Sequence, residues 1–158
     1  METRLIIFVD GSVTKNPGGL VGYGWYCPDT KEEGYGVAFQ GGDASTNSVS
    51  EYTAVAAALI HVLGWNLQRP KNILLRSDSE LTVNQLNGIW RVKHSNLKPI
   101  AALVHMMIEE LEKYGVKVSA EWIPREQNKI ADSLSHKTIK EALKERRQMT
   151  KRELEVDE

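Results

Sequence analysis

The chain has 158 residues, of which 41% are hydrophobic, and this composition suits one domain with one ordinary core. A formal net charge of −1 argues against a uniformly basic, non-specific nucleic-acid binder, and a single cysteine excludes an intrachain disulfide and a cysteine-rich zinc site. Only five consecutive apolar residues precede Asp10, too few for a signal peptide or a membrane span, so we expect a cytoplasmic protein without a membrane partner.

The charges are distributed unevenly along the chain. Residues 1–64 carry three Lys and Arg against seven Asp and Glu, whereas residues 65–98 carry six Lys and Arg against two Asp and Glu. An acidic part that is suited to binding cations therefore precedes a basic part that is suited to binding phosphates.

The first third of the chain predicts three strands. Residues 4–9 form an apolar, β-branched run that ends at the turn-like Asp10-Gly11-Ser12, and two further strand-like runs follow at 23–27 and 35–40. Because short polar loops separate these runs, we expect an antiparallel meander.

Helices and strands alternate in the rest of the chain. Ser48 and Glu51 match a capping box, which predicts a helix that ends near Gly64. The remaining predicted elements are a strand at 72–76, a short helix ending at 87, a helix at 96–114 with Asn96 as its N-cap, a strand at 116–123 and a last helix from 129.

The order βββαβααβα predicts an α/β fold with a five-stranded mixed sheet. Crossover helices would place the fourth and fifth strands parallel to the first. We expect one catalytic domain over 1–139 and a charged helical extension or tail over 140–158, since that final stretch has six basic and six acidic residues and almost no apolar face.

Four carboxylates are predicted to meet at one edge of this sheet. Asp10 and Asp78 each follow an apolar strand, Glu51 lies in the first turn of a helix, and Asp132 lies early in the last helix. Ligands of open α/β sheets gather beyond the carboxyl ends of parallel strands. Four carboxylates without histidine or cysteine favour Mg²⁺ or Mn²⁺, and two such ions promote phosphodiester hydrolysis by activating a water and stabilising the leaving oxygen.

Each carboxylate also has an ordinary structural explanation. Asp10 and Asp78 are good turn residues, Glu51 would complete its capping box, and the charge of Asp132 is favourable near a helix N-terminus. Four such coincidences in a topology that brings the residues together favour a single site.

Several motifs resemble the type 1 ribonuclease H family in order and spacing, over about residues 4–139. They are Phe8-Val9-Asp10-Gly11-Ser12 with Asn16-Pro17-Gly18, Thr46-Asn47-Ser48-Val49-Ser50-Glu51-Tyr52, Ser77-Asp78-Ser79, and Asn128 with Ala131-Asp132. The resemblance implies a ribonuclease H-like fold in which the four carboxylates bind two Mg²⁺ ions, with Mn²⁺ as a substitute. It also implies endonucleolytic hydrolysis of the RNA strand of RNA/DNA hybrids, leaving 5′-phosphate and 3′-hydroxyl ends.

The same resemblance implies a set of substrate contacts. Asn16, Asn47 and Ser48 would contact the minor groove of the hybrid, and the backbone of Gly11 would lie near an RNA 2′-hydroxyl, the group that marks the strand to be cut. The other positions assigned to substrate binding by the match are Thr46 and Asn96, which would bind a phosphate of the DNA strand, and Asn128. Turn formation and helix capping are the structural alternatives for Thr46 and Asn96.

The sequence departs from the best-known family pattern in its basic region. Many members have a long basic protrusion between the middle helices, whereas here only residues 88–94 occupy this place. Trp90, beside Arg91 and Lys93, would pack on a sugar while the cations bind phosphates; a solvated loop with one aromatic anchor is the alternative.

A second departure concerns the loop before Asp132, which has no histidine. It resembles a family branch with Pro-Arg-Glu-x-Asn before Ala-Asp, so Arg125 is the candidate catalytic substitute. His136, four residues after Asp132 on the same helix face, is a second candidate, and a plain surface arginine is the structural alternative.

The sequence thus predicts a monomeric ribonuclease H whose partner is an RNA/DNA hybrid. One alternative is a weakly active nucleic-acid-binding module with the same fold, motivated by the short basic segment and the missing histidine. Another is a resolvase or transposase core, although such enzymes generally lack the contacts assigned to Asn16 and Asn47. A plain divalent-cation binder is a third alternative, and no EF-hand loop supports it.

Overall fold

Strands and helices follow one another in the order that the sequence predicts. The computed structural model describes residues 3–40, 45–64 and 69–156. Within those ranges the elements are β1 (Arg4–Val13), β2 (Leu20–Cys27), β3 (Glu32–Gln40), α1 (Asn47–Leu63), β4 (Asn72–Ser77), α2 (Glu80–Leu86), α3 (Lys98–Lys113), β5 (Lys117–Trp122), a short 3-10 helix (Arg125–Gln127) and α4 (Lys129–Val156).

The described strands form one mixed sheet in the order β3-β2-β1-β4-β5. β1 pairs antiparallel with β2 and parallel with β4, and β4 pairs parallel with β5. The α/β fold, the five-stranded mixed sheet and the parallel placement of the fourth and fifth strands are therefore confirmed. This arrangement puts the carboxyl ends of β1 and β4 side by side.

The predicted turn at Asp10 is wrong. β1 continues through Asp10 and Gly11 to Val13, because its antiparallel pairing with β2 extends to Val13↔Val21. The parallel pairing with β4 ends earlier, at Phe8↔Arg76. Asp10 therefore lies just where β1 and β4 diverge, still held by β2 on its other side.

The main core lies between the sheet and the pair α1 and α3. α1 packs against β1 and against α3. The largest fully buried side chains of this core include Ile7, Val9, Tyr52, Leu59, Ile73 and Leu75. Burial of these apolar groups is the main favourable term in forming the fold, at about 25 cal/mol per Å² of apolar surface removed from water.

α4 covers the opposite face of the sheet over β1, β2 and β3. Gly22 and Gly24 of β2 allow this close approach, since a Cβ atom at either position would collide with the backbone of α4. The Ser12 hydroxyl also donates to the carbonyl of Ser135, at 2.9 Å. Because Asp10 pairs with Gly24, the same packing brings the start of α4 over the end of β1.

Beyond Ile139 the helix α4 continues to Val156 with mostly exposed residues. The expected extension is thus helical over 140–156, and residues 157–158 lie outside the described part. Among the described helices, none combines the length and the apolar character that crossing a membrane requires.

Candidate active site

Three carboxylates from three separate elements converge at one edge of the sheet. Asp10 of β1, Glu51 of α1 and Asp78, which follows β4, each place a carboxylate oxygen within 4.8 Å of the others. We call these three residues the acidic cluster. They are three of the four carboxylates that the sequence predicts to share a site.

The cluster forms because α1 lies unusually close to β1. A Cβ atom on Gly11 would collide with the backbone of Ser50, so only glycine permits this approach. The Gly11 amide donates to Oε2 of Glu51 at 3.3 Å, which holds that carboxylate beside Asp10. The role visible for Gly11 is therefore to bring Glu51 into the site.

The predicted capping box of α1 is wrong. The helix begins at Asn47, with Thr46 as its N-cap, and Oγ1 of Thr46 accepts from the amide of Val49 at 3.2 Å. Because the cap lies two residues earlier than predicted, Glu51 does not cap the helix and its carboxylate faces β1.

Asp132 lies at the border of the acidic cluster. Its side chain adds to the raised pKa of Asp10, after burial and the charges of Glu51 and Asp78, and its Oδ1 lies 3.4 Å from Nε2 of His136, one turn further along α4. It does not belong to the set of three mutually close carboxylates found among the described residues. The fourth predicted carboxylate therefore adjoins the other three through Asp10.

Burial and mutual repulsion raise the pKa values of the carboxyl groups in the acidic cluster, so these groups keep their protons to higher pH. Asp10 is only 4% exposed, and burial, followed by the charges of Glu51 and Asp78, raises its pKa to about 10. Burial and the charge of Asp78 raise the pKa of Glu51 to about 8. Burial also raises the pKa of Asp78, although the positive charge of Arg125 opposes this shift. Divalent cations would compensate these charges, and a purely carboxylate donor set suits Mg²⁺ or Mn²⁺.

The acidic cluster lines an open cleft of about 420 Å³. Predicted site residues that line the same cleft are Gly11, Asn47, Ser48, Arg125, Asp132 and His136. Asn16 adjoins it, because its Oδ1 accepts from the Asn47 amide at 3.3 Å. The structure thus brings the proposed minor-groove residues to the mouth of the carboxylate site.

Two other predicted contacts lie along α2, in a second cleft of about 510 Å³. Trp90 and Lys93 line this cleft together with Leu81, Gln85, Ile89, Arg91 and His94. Trp90 is 44% exposed, so its ring is available to a ligand. An aromatic surface flanked by cations suits a sugar-phosphate backbone.

Asn96 is exposed, and its predicted role as the N-cap of α3 is wrong. The N-cap is the buried Leu97, which makes no side-chain cap hydrogen bond, and Pro99 lies in the first turn of the helix. Proline fixes its own backbone in a helical conformation and needs no hydrogen-bond partner for its nitrogen, so it starts the helix without a polar cap.

Asn128 lies beneath the cleft. It is 1% exposed, and its Nδ2 donates to the carbonyl of Val9 at 2.9 Å. It is the predicted substrate-binding residue with the least surface available to a ligand, compared with the exposed Asn47 and Asn96.

Sequence reasoning missed Trp122, the last residue of β5. Its indole Nε1 donates to the backbone carbonyl of Asp78 at 3.2 Å, and half of the residue is exposed. Parallel pairing sets Trp122 opposite Ser77. A register for β5 could have placed Trp122 beside Asp78, but the sequence pattern of this short strand does not determine the register.

Comparison with known proteins gives a consistent match over most of the chain. The model of the family described as "Reverse transcriptase-like" matches residues 8–138. The bifunctional protein Rv2228c of Mycobacterium tuberculosis is 28% identical over 136 residues, which are 84% of this chain and 35% of that protein. Ribonuclease HI of Halobacterium salinarum is 28% identical over 142 residues, which are 88% of this chain and 66% of that protein.

Solved structures of similar proteins have the same fold. The structure of LC11-RNase H1 in complex with an RNA/DNA hybrid has a TM-score of 0.75 at 32% identity, and the match covers 88% of this chain and 99% of that one. The N-terminal RNase H domain of Rv2228c has a TM-score of 0.73 at 26% identity, with 91% and 99% covered. The chain spans about a third, 35%, of the full length of its mycobacterial relatives.

Proposed function

Because the chain belongs to the reverse transcriptase-like family, whose model matches residues 8–138, we propose that it is a ribonuclease H that cleaves the RNA strand of RNA/DNA hybrids. The observation that carries this proposal is the acidic cluster, which lies in an open cleft at the carboxyl ends of β1 and β4. Support comes from relatives named ribonuclease HI and RNase H1, one of which was solved with a hybrid.

Asp10, Glu51 and Asp78, with Asp132 at the border, would hold two Mg²⁺ ions, and Mn²⁺ is the expected substitute. Bound metal would supply activation of a water molecule and stabilisation of the leaving 3′-oxygen, which yields 5′-phosphate and 3′-hydroxyl ends. The protein holds these carboxylates together on β1, on α1, directly after β4 and on α4. The raised pKa values of Asp10 and Glu51 mean that the metal-free cluster keeps protons which metal binding would release.

Recognition of the hybrid is assigned to two groups of residues. Asn16, Asn47, Ser48 and the Gly11 backbone would contact the minor groove, where the 2′-hydroxyl distinguishes RNA from DNA. Thr46 and Asn96 would bind a phosphate of the DNA strand, and Trp90 and Lys93 would contact a sugar and phosphates of the hybrid. Trp90 and Lys93 line the cleft beside α2, where Arg91 adds a further positive charge for a phosphate.

Arg125 is proposed as the residue that assists product release. It lines the cleft, and its positive charge lowers the pKa of Asp78 against the effect of burial. A guanidinium stays protonated, so it cannot act as a general base. The guanidinium of Arg125 would attract the cleaved phosphate and so compete with the metal site for this product. His136, at 3.4 Å from Asp132, is the alternative candidate for this role.

The proposed function is tested with labelled RNA/DNA, RNA/RNA and DNA/DNA duplexes, each with and without Mg²⁺. We expect Mg²⁺-dependent cleavage of the RNA strand of RNA/DNA alone. Asp10→Asn should abolish cleavage and keep hybrid binding, whereas Glu109→Gln, which changes an exposed carboxylate on α3, should behave as wild type. Binding without cleavage by the wild type would favour a binding module, and cleavage of duplex DNA would favour a resolvase-like nuclease. The monomeric state and the cytoplasmic location stay predictions.

A further inference from the structure

Asn128 contacts the segments that carry three of the four carboxylates. Its Nδ2 donates to the carbonyl of Val9, the residue before Asp10, at 2.9 Å. Its side-chain amide also interacts with the carboxylate of Asp78 and opposes the rise that burial causes in the pKa of that group. Its backbone carbonyl accepts from the amide of Asp132 at 3.0 Å. One buried residue therefore joins β1, the end of β4 and the first turn of α4.

The orientation of the Asn128 amide follows from its neighbours. A backbone carbonyl and a carboxylate both accept hydrogen bonds, so the NH₂ group must face Val9 and Asp78. The other end of the amide, Oδ1, is buried and has no partner among the described residues. A buried acceptor without a partner is unfavourable, and native structures contain few of them. Oδ1 and the NH₂ group belong to one rigid amide. The orientation that lets the NH₂ group donate to Val9 therefore leaves Oδ1 without a partner.

The segment that carries Asn128 is itself attached to β4. The amide of Ile123 donates to the carbonyl of Ser77 at 2.9 Å, and the indole of Trp122 donates to the carbonyl of Asp78 at 3.2 Å. The amide of Asn128 then closes the short 3-10 helix by donating to the carbonyl of Arg125 at 3.0 Å. The connection between β5 and α4 is therefore attached to β4 and Asp78 at its β5 end, and the 3-10 helix sets the position of Asn128 within it.

We propose that Asn128 is a positioning residue, which sets the separation of Asp10, Asp78 and Asp132 for metal binding and does not contact the hybrid. At 1% exposure it offers almost no surface to a ligand, unlike the substrate-binding role that the family resemblance implies. This inference rests on the proposed function, since it assumes a metal site at the acidic cluster. Groups that orient metal ligands from behind typically change metal affinity or activity roughly 10- to 100-fold when they are replaced.

The test compares Asn128→Leu with Asn128→Asp and with a matched control, Gln127→Leu. Leucine has a volume similar to that of asparagine and no hydrogen-bond donor. Aspartate keeps the shape of the side chain but places an acceptor oxygen against the Val9 carbonyl and the Asp78 carboxylate. Gln127 is an exposed amide of the same 3-10 helix, so its replacement leaves the contacts of Asn128 in place. The measurements are calorimetric titration of each full-length protein with Mg²⁺ and Mn²⁺ without nucleic acid, and kcat and KM on an RNA/DNA hybrid.

We expect Asn128→Leu to weaken metal affinity or lower kcat roughly 10- to 100-fold, with KM for the hybrid within about two-fold of wild type. Asn128→Asp should lose more, and Gln127→Leu should match wild type. If Asn128→Leu does not fold, Asn128→Ser, which is smaller and still donates one hydrogen bond, should show a smaller loss of the same kind.

Three results would overturn the inference. A rise in KM with unchanged metal affinity and kcat would make Asn128 a substrate contact. Unchanged metal affinity, kcat and KM in a folded variant would reduce it to a packing residue. A wild-type protein that neither binds the two metals nor cleaves the hybrid would refute the proposed function, and the role of Asn128 with it, whereas the first two results leave the proposed function intact.

Discussion

In the absence of metal, the free energy of unfolding should fall as the pH rises from about 5.5 to about 7.5. Folding raises the pKa of Asp10 from 3.8 to about 10 and that of Glu51 from 4.5 to about 8. In this pH range the unfolded chain has released both protons while the folded chain keeps them. A group with a raised pKa stabilises most below its ordinary pKa, and this stability is lost as the pH rises towards the raised value.

The size of the effect follows from the number of protons involved. One proton bound only by the folded state changes stability by at most about 1.4 kcal/mol per pH unit, or about 2.7 kcal/mol over two units. Asp10 and Glu51 together set an upper limit of about 5.5 kcal/mol over that range. Asp10→Asn cannot ionise, so the contribution of Asp10 to the pH dependence is absent from this variant. This variant should show about half the wild-type dependence on pH, and it should melt higher than wild type at about pH 7.5.

The assay is thermal melting at several pH values, in EDTA and in Mg²⁺. For a protein of this size, about 1 kcal/mol corresponds to roughly 2–4 °C in Tm, so the difference is measurable. Added Mg²⁺ should flatten the wild-type pH dependence, because an ion that binds only the folded state stabilises it and favours the ionised carboxylates. Glu109→Gln, an exposed carboxylate, is the control and should follow wild type. Parallel curves for wild type and Asp10→Asn in EDTA would refute the reasoning.

Three further outcomes are expected. Asp78→Asn should melt higher than wild type without metal and gain less from Mg²⁺, and equal gains in both proteins would contradict a shared metal site. Arg125→Ala should lower steady-state turnover more than hybrid affinity, with Arg125→Lys between; wild-type turnover in Arg125→Ala would make this a surface charge only. Gly11→Ala should lower the free energy of unfolding by about 1–3 kcal/mol and reduce activity, because the added methyl group meets the Ser50 backbone. Gly64→Ala is the control, since the nearest atom to its added methyl group is 3.4 Å away. Equal melting of both variants would argue against the close approach of α1 to β1.

The order of the elements could be predicted because each one has a local signal. Apolar runs mark the strands, and apolar residues at helical spacing mark α1 and α3. Asp10 and Asp78 could be assigned to one site from their position after strands that the topology makes parallel neighbours. Local sequence patterns were therefore enough to predict the fold and the three carboxylates of the acidic cluster.

The predictions that failed at the helix starts concern local contacts, whereas the end of β1 and the burial of Asn128 depend on distant parts of the chain. The end of β1 depends on its pairing with β2, so a turn-like Asp10-Gly11-Ser12 is kept in a strand. The helix α1 starts after Thr46, which caps it, and not at the capping box that Ser48 and Glu51 match two residues later. The burial of Asn128 depends on Val9, a contact across 119 positions that no local pattern reveals.

The docking of α4 through Gly22 and Gly24 also sets when the site can first exist during synthesis. Asp10 leaves the ribosome before Asp132, which follows 122 positions later on the helix that packs against these glycines. A nascent chain that stops before α4 has the acidic cluster residues but lacks the fourth carboxylate and the helix that covers β2. Complete assembly of the site therefore has to wait for synthesis of α4, and a product that ends before α4 does not contain the full set of carboxylates.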